Sequence, residues 1–421
     1  MPTMGADTFQ AVRFGFQAVR FGAAIAAVRP RVVAALAARL RDLDAAEEAF
    51  AEASASALVA WPNLAPRDPA AWMWRAAWRK ALDARRRAAV RARLTPDPPE
   101  PEPTPEEALM AADQPIPDER LRLIFVCCHP ALAPDARAAL TLKVVCGLST
   151  PRLARAFLVA EPAMLQRITR AKAKIAGARV PFEVPDRSAW PERLEAVLTT
   201  LEIAYAQAYE DAALAGDSAG FAAEVLRLSG LLVELMPREP EVLGLAALVR
   251  FAEARRPARI DPTGAMTPPE RQDVGRWNPD LITEAKRLLA RAAAQGQSGP
   301  RQILAAIHGA HCVRVEGGAT PWRDIARLYD LLLEARPTPV TAVNRAVALG
   351  EAYGAPAGLA ALPPPAGLER WLPYHAARAH LSARAGDPGT ARAAYRTALD
   401  LAPPPAERLF LEQALIRLSG A

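Results

Sequence analysis

No window of this 421-residue sequence sustains the period-two alternation of apolar and polar side chains that a half-buried strand requires. Apolar residues recur at spacings of three and four instead, which is the period of an amphipathic helix. Ala, Leu, Arg and Glu are abundant, all good helix formers, and aromatics make up only 6%. An all-α fold is therefore expected. The 40 prolines then fall at helix starts and in loops, where a missing N–H is tolerated. With 51% hydrophobic and 23% charged residues the chain can bury sizeable cores, which separates it from disordered sequences.

Charge divides the chain. Residues 31–94 carry 12 basic and 7 acidic side chains, and residues 118–179 carry 11 and 4. Between them "TPDPPEPEPTPEEALMAADQPIP", Thr95 to Pro117, has eight prolines, 6 acidic residues and no basic one. Such a segment cannot pack as helix or sheet and stays extended and semi-rigid. Two small basic modules thus flank an acidic tether, and a large near-neutral region follows. Basic modules attract phosphate backbones through counterion release, although Arg and Lys also simply solvate helix faces. An acidic extended segment can mimic nucleic acid in a positive groove, or it can be a plain spacer.

The stretch "LSTPRLARAFLVAEPAMLQRITRAKAKI", Leu148 to Ile175, predicts two helices joined by a tight turn. Thr150 is a good N-cap and Pro151 suits the first helical position. Leu153, Ala154 and Phe157 share one face, and the small Ala154 allows close crossing. Pro162 starts the second helix. Leu165, Ile168, Ala171 and Ile175 form its expected inward stripe, leaving Gln166, Arg167, Arg170 and Lys174 outside and Lys172 at the border. Arg pairs with guanine edges and Gln with adenine in a major groove, and further cations hold phosphates. An ordinary αα-hairpin with a solvated face is the plain alternative.

These residues, with the preceding "DERLRLIFVCCHPALAPDARAALTLKVVCGL", Asp118 to Leu148, resemble region 4 of bacterial extracytoplasmic-function sigma factors. The likeness is to a subgroup with a C-terminal tetratricopeptide-like helical extension. It implies contact with the promoter −35 element and with the polymerase β-flap. Residues 31–94 resemble sigma region 2 more distantly. In "LDAAEEAFAEASASAL", Asp44, Glu47, Glu48 and Glu52 hold positions that imply docking on the polymerase, while Ala51 and Ser54 depart from the family's usual Gln and aromatic. "DPAAWMWRAAWRKALDARRR" parallels the segment that opens the −10 element. Trp72, Asp83, Arg86 and Arg87 match, and Trp78 and Arg79 replace an Arg-Asn pair. Strand opening needs aromatics to stack on unpaired bases and cations to hold the backbone. Trp72, Trp74 and Trp78 with Arg75, Arg79, Lys80, Arg86 and Arg87 supply both, unless Trp74 and Trp78, spaced i,i+4, pack in a core.

Residues 190–421 give successive helical pairs separated by Gly, Pro and Asp turns. In the last pair Gly386, Ala391, Tyr395, Ala398 and Pro403 have tetratricopeptide spacing. "DVGRWNPDLITEA", Asp273 to Ala285, resembles part of the same subgroup's extension. Stacked pairs make concave surfaces suited to a peptide or protein partner, or serve as a structural cap. His308, His311 and Cys312 share one short helix and are expected in a core or interface. Cys127, Cys128 and His129 are expected to be buried core rather than zinc ligands, because adjacent cysteines suit a tetrahedral site poorly.

The tandem "FQAVRFG" copies, Phe9–Gly15 and Phe16–Gly22, receive no function. Arg13 and Arg20 before "AAIAAV" give the N-terminus a weak likeness to a targeting segment. Four cysteines fit a reducing cytoplasm, and no apolar run approaches membrane-spanning length. The domain reading is a tail at 1–28, a region 2-like module at 29–94, the linker at 95–117, a helix-turn-helix module at 118–180 and the repeat extension at 181–421. No nucleophile–base set, phosphate loop or metal motif is found. The expectation is a non-enzymatic, cofactor-free sigma factor whose partners are core RNA polymerase and promoter DNA, with no membrane association and with the extension regulating its activity. A polymerase-independent regulator with a repeat sensor, and a repeat scaffold with decayed sigma modules, are the alternatives.

Overall fold

Proline and short capping side chains set where the helices begin. Pro134, Pro162, Pro240, Pro279, Pro300, Pro339, Pro356, Pro373 and Pro388 each stand in the first turn of a helix, where proline's fixed φ is preorganised. Asp42, Asn278, Thr338 and Asp387 accept backbone N–H bonds at four helix starts. The computed structural model describes residues 6–61, 66–92, 119–145, 147–157, 159–178, 180, 182, 189–210 and 218–419. The linker of residues 95–117 and Cys146 lie outside the described residues. Among those described the fold is all-α, and the only extended pairing is an isolated bridge between Ile260 and Met266. Contacts divide the chain into two compact units, Met1–Ala204 and Tyr205–Ala421.

The first unit opens with a three-helix bundle of α1 (Ala6–Leu40), α2 (Leu43–Ala60) and α3 (Pro69–Ala92). Arg41, in the left-handed region at φ 53°, turns the chain between α1 and α2. Asp42 then caps α2, accepting from the N–H groups of Asp44 and Ala45 at 2.8 and 3.1 Å. Val32, Val33, Leu36, Leu40, Phe50, Met73, Trp74 and Trp78 fill the core. α1 does not begin at a domain boundary near residue 28. It runs through the second "FQAVRFG" copy, and Phe21 meets Trp61 edge-on at 5.8 Å.

A second bundle follows, made of α4 (Arg120–Cys127), α5 (Pro134–Val144), α6 (Thr150–Ala156) and α7 (Glu161–Gly177). α4 is apolar from Leu123 onward and buries Leu123 to Cys127, with α1 packed against it. α8 (Trp190–Glu210) begins within this unit, where the Arg193 guanidinium donates to the Phe125 carbonyl at 2.7 Å.

The second unit continues through α9 (Ser218–Leu235), α10 (Pro240–Arg255), α11 (Pro279–Ala293), α12 (Pro300–Cys312), α13 (Trp322–Ala335), α14 (Pro339–Tyr353), α15 (Ala355–Ala361), α16 (Leu372–Arg384), α17 (Pro388–Asp400) and α18 (Pro405–Ser419). From α9 onward each helix packs against the next one in sequence. α10 is buried on nearly every side, among α9, α11 and α12. Its Glu241 carboxylate caps α12 from outside, accepting from the N–H groups of Arg301 and Gln302 at 3.1 and 3.2 Å. α14 and α15 cross so closely that a Cβ on Gly358 would stand 2.7 Å from the Ala346 carbonyl oxygen. The α16–α17 pair turns at Gly386, φ +80°, and Ala391, Tyr395 and Ala398 of α17, with Pro403 just after it, are buried.

Candidate nucleic-acid interface

The helix pair α6–α7 carries the groups expected at the −35 element, all of them on α7. Leu153 and Ala154 on α6 and Phe157 just after it are buried, and α7 packs against α6. α7 begins at Glu161 after an Ala160 that offers no side-chain cap, so its first turn rests on Pro162. Its inward stripe is Met164, Ile168, Ala171 and Ile175. Burying each of the larger members contributes about 1.5–3 kcal/mol. Here the expectation is corrected: Leu165 is 55% exposed, and Met164 takes the inward place. Residues 164 and 165 lie four and three positions before Ile168, so both suit the stripe, and the packing chooses the side chain nearer its centre.

Four cations and one amide of α7 were singled out, and they are not equivalent. Gln166, Arg170 and Lys174 are exposed. Arg170 donates to the Gln166 carbonyl at 3.3 Å and reaches its side-chain oxygen at 3.5 Å, so the two form one polar patch a turn apart. Arg167 is half-buried, 5.9 Å above the Phe157 ring and 4.0 Å from the Asp135 carboxylate. Lys172 turns away from the patch. Its ammonium lies 2.5 Å from Asp44 Oδ1 and 2.8 Å from Glu47 Oε2, both on α2. Burial disfavours that ammonium, but Glu47 and Asp44 outweigh the burial and hold its pKa above the usual lysine range.

The expected −10 segment is α3, and its aromatics require a correction. Trp74 and Trp78 lie in the core, 2% and 7% exposed, stacked at 5.7 Å with an interplanar angle of 15°. Met73, Trp74, Ala77, Trp78 and Ala81 make one buried stripe, and the Arg39 guanidinium sits over both indoles. As placed, neither indole can receive an unpaired base. Trp72 is half-buried and meets Trp61 edge-on at 5.1 Å. The outer face keeps the cations: Arg75, Arg79, Arg86 and Arg87 are exposed, and Lys80 stands 3.8 Å from Glu52. A mixed-sign cleft runs beside them, lined by Glu48, Glu52, Lys80 and Arg85 to Arg87.

Of the four acids expected to face polymerase, Glu48 is exposed on α2. Asp44 is held by Lys172, and Glu52 by Lys80. Glu47 is half-buried between Lys172 and Arg29, the latter at 2.5 Å. Sequence reading missed Arg29, the first residue of the region 2-like module at 29–94. No spacing rule links a residue of α1 to α2 and α7.

Of the remaining candidates Cys127, Cys128 and Cys312 are core, whereas His129, expected there too, is half-buried, as are His308 and His311. Burial raises the Cys128 thiol pKa, and its sulfur lies 3.2 Å from the Thr141 hydroxyl. Burial, then the nearby Arg193, lowers the His129 pKa. His308 contacts Arg255 at 2.8 Å, and burial with that arginine lowers its pKa well below the usual value. His311 packs edge-on against Trp322, and the same two causes, with Arg314, push its pKa down to about 3. Among the described residues no group of three His, Cys, Asp or Glu side chains is placed to hold a metal ion. No described helix is long and apolar enough to cross a membrane.

Residues 122–175, from α4 to the buried end of α7, match the family Sigma-70, region 4. The module is therefore sigma-factor-like, of the kind that binds promoter DNA. Residues 193–293 match a family of unknown function, DUF6596. An uncharacterized protein of Rhizobium meliloti (strain 1021) is 39% identical over 412 residues, covering 94% of this chain and 95% of its own length. No solved structure matches the chain.

Proposed function

We propose a function for a chain that belongs, over nearly its whole length, to the same family as the Rhizobium meliloti protein: it is a sigma factor of the extracytoplasmic-function class. It binds core RNA polymerase in the cytoplasm, directs it to promoters and catalyses no reaction itself. The carrying observation is α7, a helix that buries Met164, Ile168, Ala171 and Ile175 and exposes Gln166, Arg170 and Lys174 within the stretch matching sigma-70 region 4.

In this reading Gln166 and Arg170 read base edges of the −35 element, while Arg167 and Lys174 contact phosphates. The exposed cations of α3 follow the backbone near the −10 element, with Trp72 the remaining candidate for base stacking. Asp44, Glu47, Glu48 and Glu52 dock on polymerase. The tetratricopeptide-like extension regulates this activity within the same chain. Its paired helices suit a peptide or protein partner.

Core-polymerase pull-down followed by promoter-specific transcription tests the reading. The full chain should bind core enzyme and support initiation, and failure to bind core enzyme removes the sigma assignment. Ending the chain after Glu210 keeps α8, whose Arg193 anchors to Phe125, and should change the level or the inducibility of transcription. Unchanged output and unchanged response would remove the regulatory role. The burial of Trp74 and Trp78 favours a second reading, a DNA-binding regulator that needs no polymerase. Tight, sequence-specific duplex binding by the chain alone, without core enzyme, would support it.

A further inference from the structure

Three arginines are buried among the described residues, and all lie in the second unit: Arg250, Arg255 and Arg301, at 7%, 4% and 0% exposed. A guanidinium keeps its charge in a protein, so burying one calls for an anion beside it. Arg250 has Glu284 at 2.7 Å, and Arg301 has Glu241 at 3.4 Å. Arg255 has no carboxylate. Its Nε donates to the Phe251 carbonyl at 3.4 Å and its Nη2 to His308 Nδ1 at 2.8 Å, both neutral acceptors, which leaves Nη1 without a partner. As the last residue of α10 it also meets the helix C-terminus, which carries about half a negative charge. That is less than the other two arginines receive.

The groups around Arg255 add no negative charge. Because Arg255 can only donate, His308 Nδ1 accepts, and the ring proton sits on Nε2. Burial and then Arg255 keep His308 and His311 neutral, and Arg314 adds to the effect at His311. Burial keeps Tyr329 protonated, its pKa pushed up to about 12 against the pull of Arg255. Arg314 itself is engaged elsewhere, donating to the Pro269 and Gln272 carbonyls. The surroundings are apolar: Trp322 meets His311 edge-on at 5.3 Å, and Trp322 and Tyr329 pack on Ile307, Ile325 and Ala326. His308, His311 and Tyr329 are half-buried, so the cluster keeps a rim in solvent while Arg255 lies at its floor.

We propose that Arg255 and His308 hold the carboxylate of a small, largely apolar organic acid, which makes the second unit a small-molecule receptor. A guanidinium presents a planar fork that takes both oxygens of a carboxylate, and Nη1 of this one is unused. One unmatched positive charge suits a monoanion better than the double charge of a phosphate. The His308 Nε2–H is a further donor, and Trp322 and Tyr329 offer apolar surface to the organic body. The proposal stands apart from the sigma reading, because neither DNA nor polymerase takes part in it.

Fluorine NMR of trifluoroacetate, titrated with the full-length chain at constant ionic strength, tests the site. The chain should bind this probe saturably. Benzoate should displace it at about tenfold lower concentration than inorganic phosphate does. Arg255→Met should weaken binding by about tenfold or more, while Arg327→Met, which removes an exposed guanidinium, should leave it unchanged. Arg255→Lys keeps the charge and loses the fork, so it should weaken binding by about fivefold, and it serves as the test if R255M does not fold. Absence of saturable binding would overturn the proposal. So would equal binding by the unmodified chain and by whichever Arg255 variant folds. Displacement by phosphate as readily as by benzoate would overturn the carboxylate assignment. Each of these results leaves the sigma reading untouched, since that reading stands or falls on the core-polymerase pull-down.

Discussion

α3 and α7 look alike in sequence and part company in the structure. Each is a basic helix with apolar residues at spacings of three and four, and each invites assignment to DNA. α7 buries Met164, Ile168, Ala171 and Ile175, side chains with no N–H or O–H to satisfy, and leaves its amide and two of its four cations, Arg170 and Lys174, outside. α3 instead buries two indoles, although neither Trp74 nor Trp78 has a hydrogen-bond partner for its ring N–H. A tryptophan brings much more apolar area than any aliphatic residue, and that outweighs the unsatisfied N–H. Aromatic side chains on a stripe are therefore weak evidence for base stacking, whereas Gln and Arg opposite a stripe are stronger evidence for base reading.

The largest effect that could break this contrast is Trp74→Ala. Removing a fully buried indole should cost about 3–5 kcal/mol in denaturant-induced unfolding of the first unit. Trp72→Ala, at a half-buried ring, should cost distinctly less. If W74A left stability intact and impaired only promoter opening, α3 would be a reading surface after all. On α7 the expectation reverses. Arg170→Ala should leave the unfolding midpoint nearly unchanged and weaken binding to the cognate −35 duplex by roughly 1–3 kcal/mol, with a smaller loss on unrelated DNA. Equal losses on both duplexes would make Arg170 a phosphate contact.

The stripe of α7, its Pro162 start and its outward cations follow from local spacing, and so they were legible in the sequence. So was the turn at Gly386 with Ala391, Tyr395 and Ala398 packed behind it. What escaped depends on which of two local solutions the tertiary packing selects. Met164 and Leu165 are both apolar and fit the same stripe, and only tertiary packing, with α5 and α6 both against α7, separates them. The Trp74–Trp78 spacing allowed burial without requiring it. The Lys172–Asp44 pair spans 128 positions, with the proline-rich segment between, and no periodicity reports on it. Arg29 was lost for the same reason.

Arg79→Ala tests the outer face of α3 with a smaller expected signal. The exposed guanidinium should contribute about one unit to the slope of log affinity against log salt, with little dependence on sequence. A sequence-dependent loss would instead give α3 a part in base readout.

The smallest effect concerns the residue that left the stripe. Leu165 stands 55% exposed beside Gln166, on the flank of α7 shared with Thr169. An apolar side chain next to base-reading groups has one natural partner in the major groove, the 5-methyl of thymine. Leu165→Ala should therefore weaken cognate binding by about 1 kcal/mol, the scale of burying a methyl or two. Replacing single thymines of the −35 duplex by deoxyuridine should cost the unmodified chain a similar amount at one position. That same replacement should cost L165A almost nothing, because its partner is already gone. If every thymine-to-deoxyuridine replacement costs L165A as much as it costs the unmodified chain, Leu165 reads no methyl. The reading face of α7 would then contract to Gln166 and Arg170.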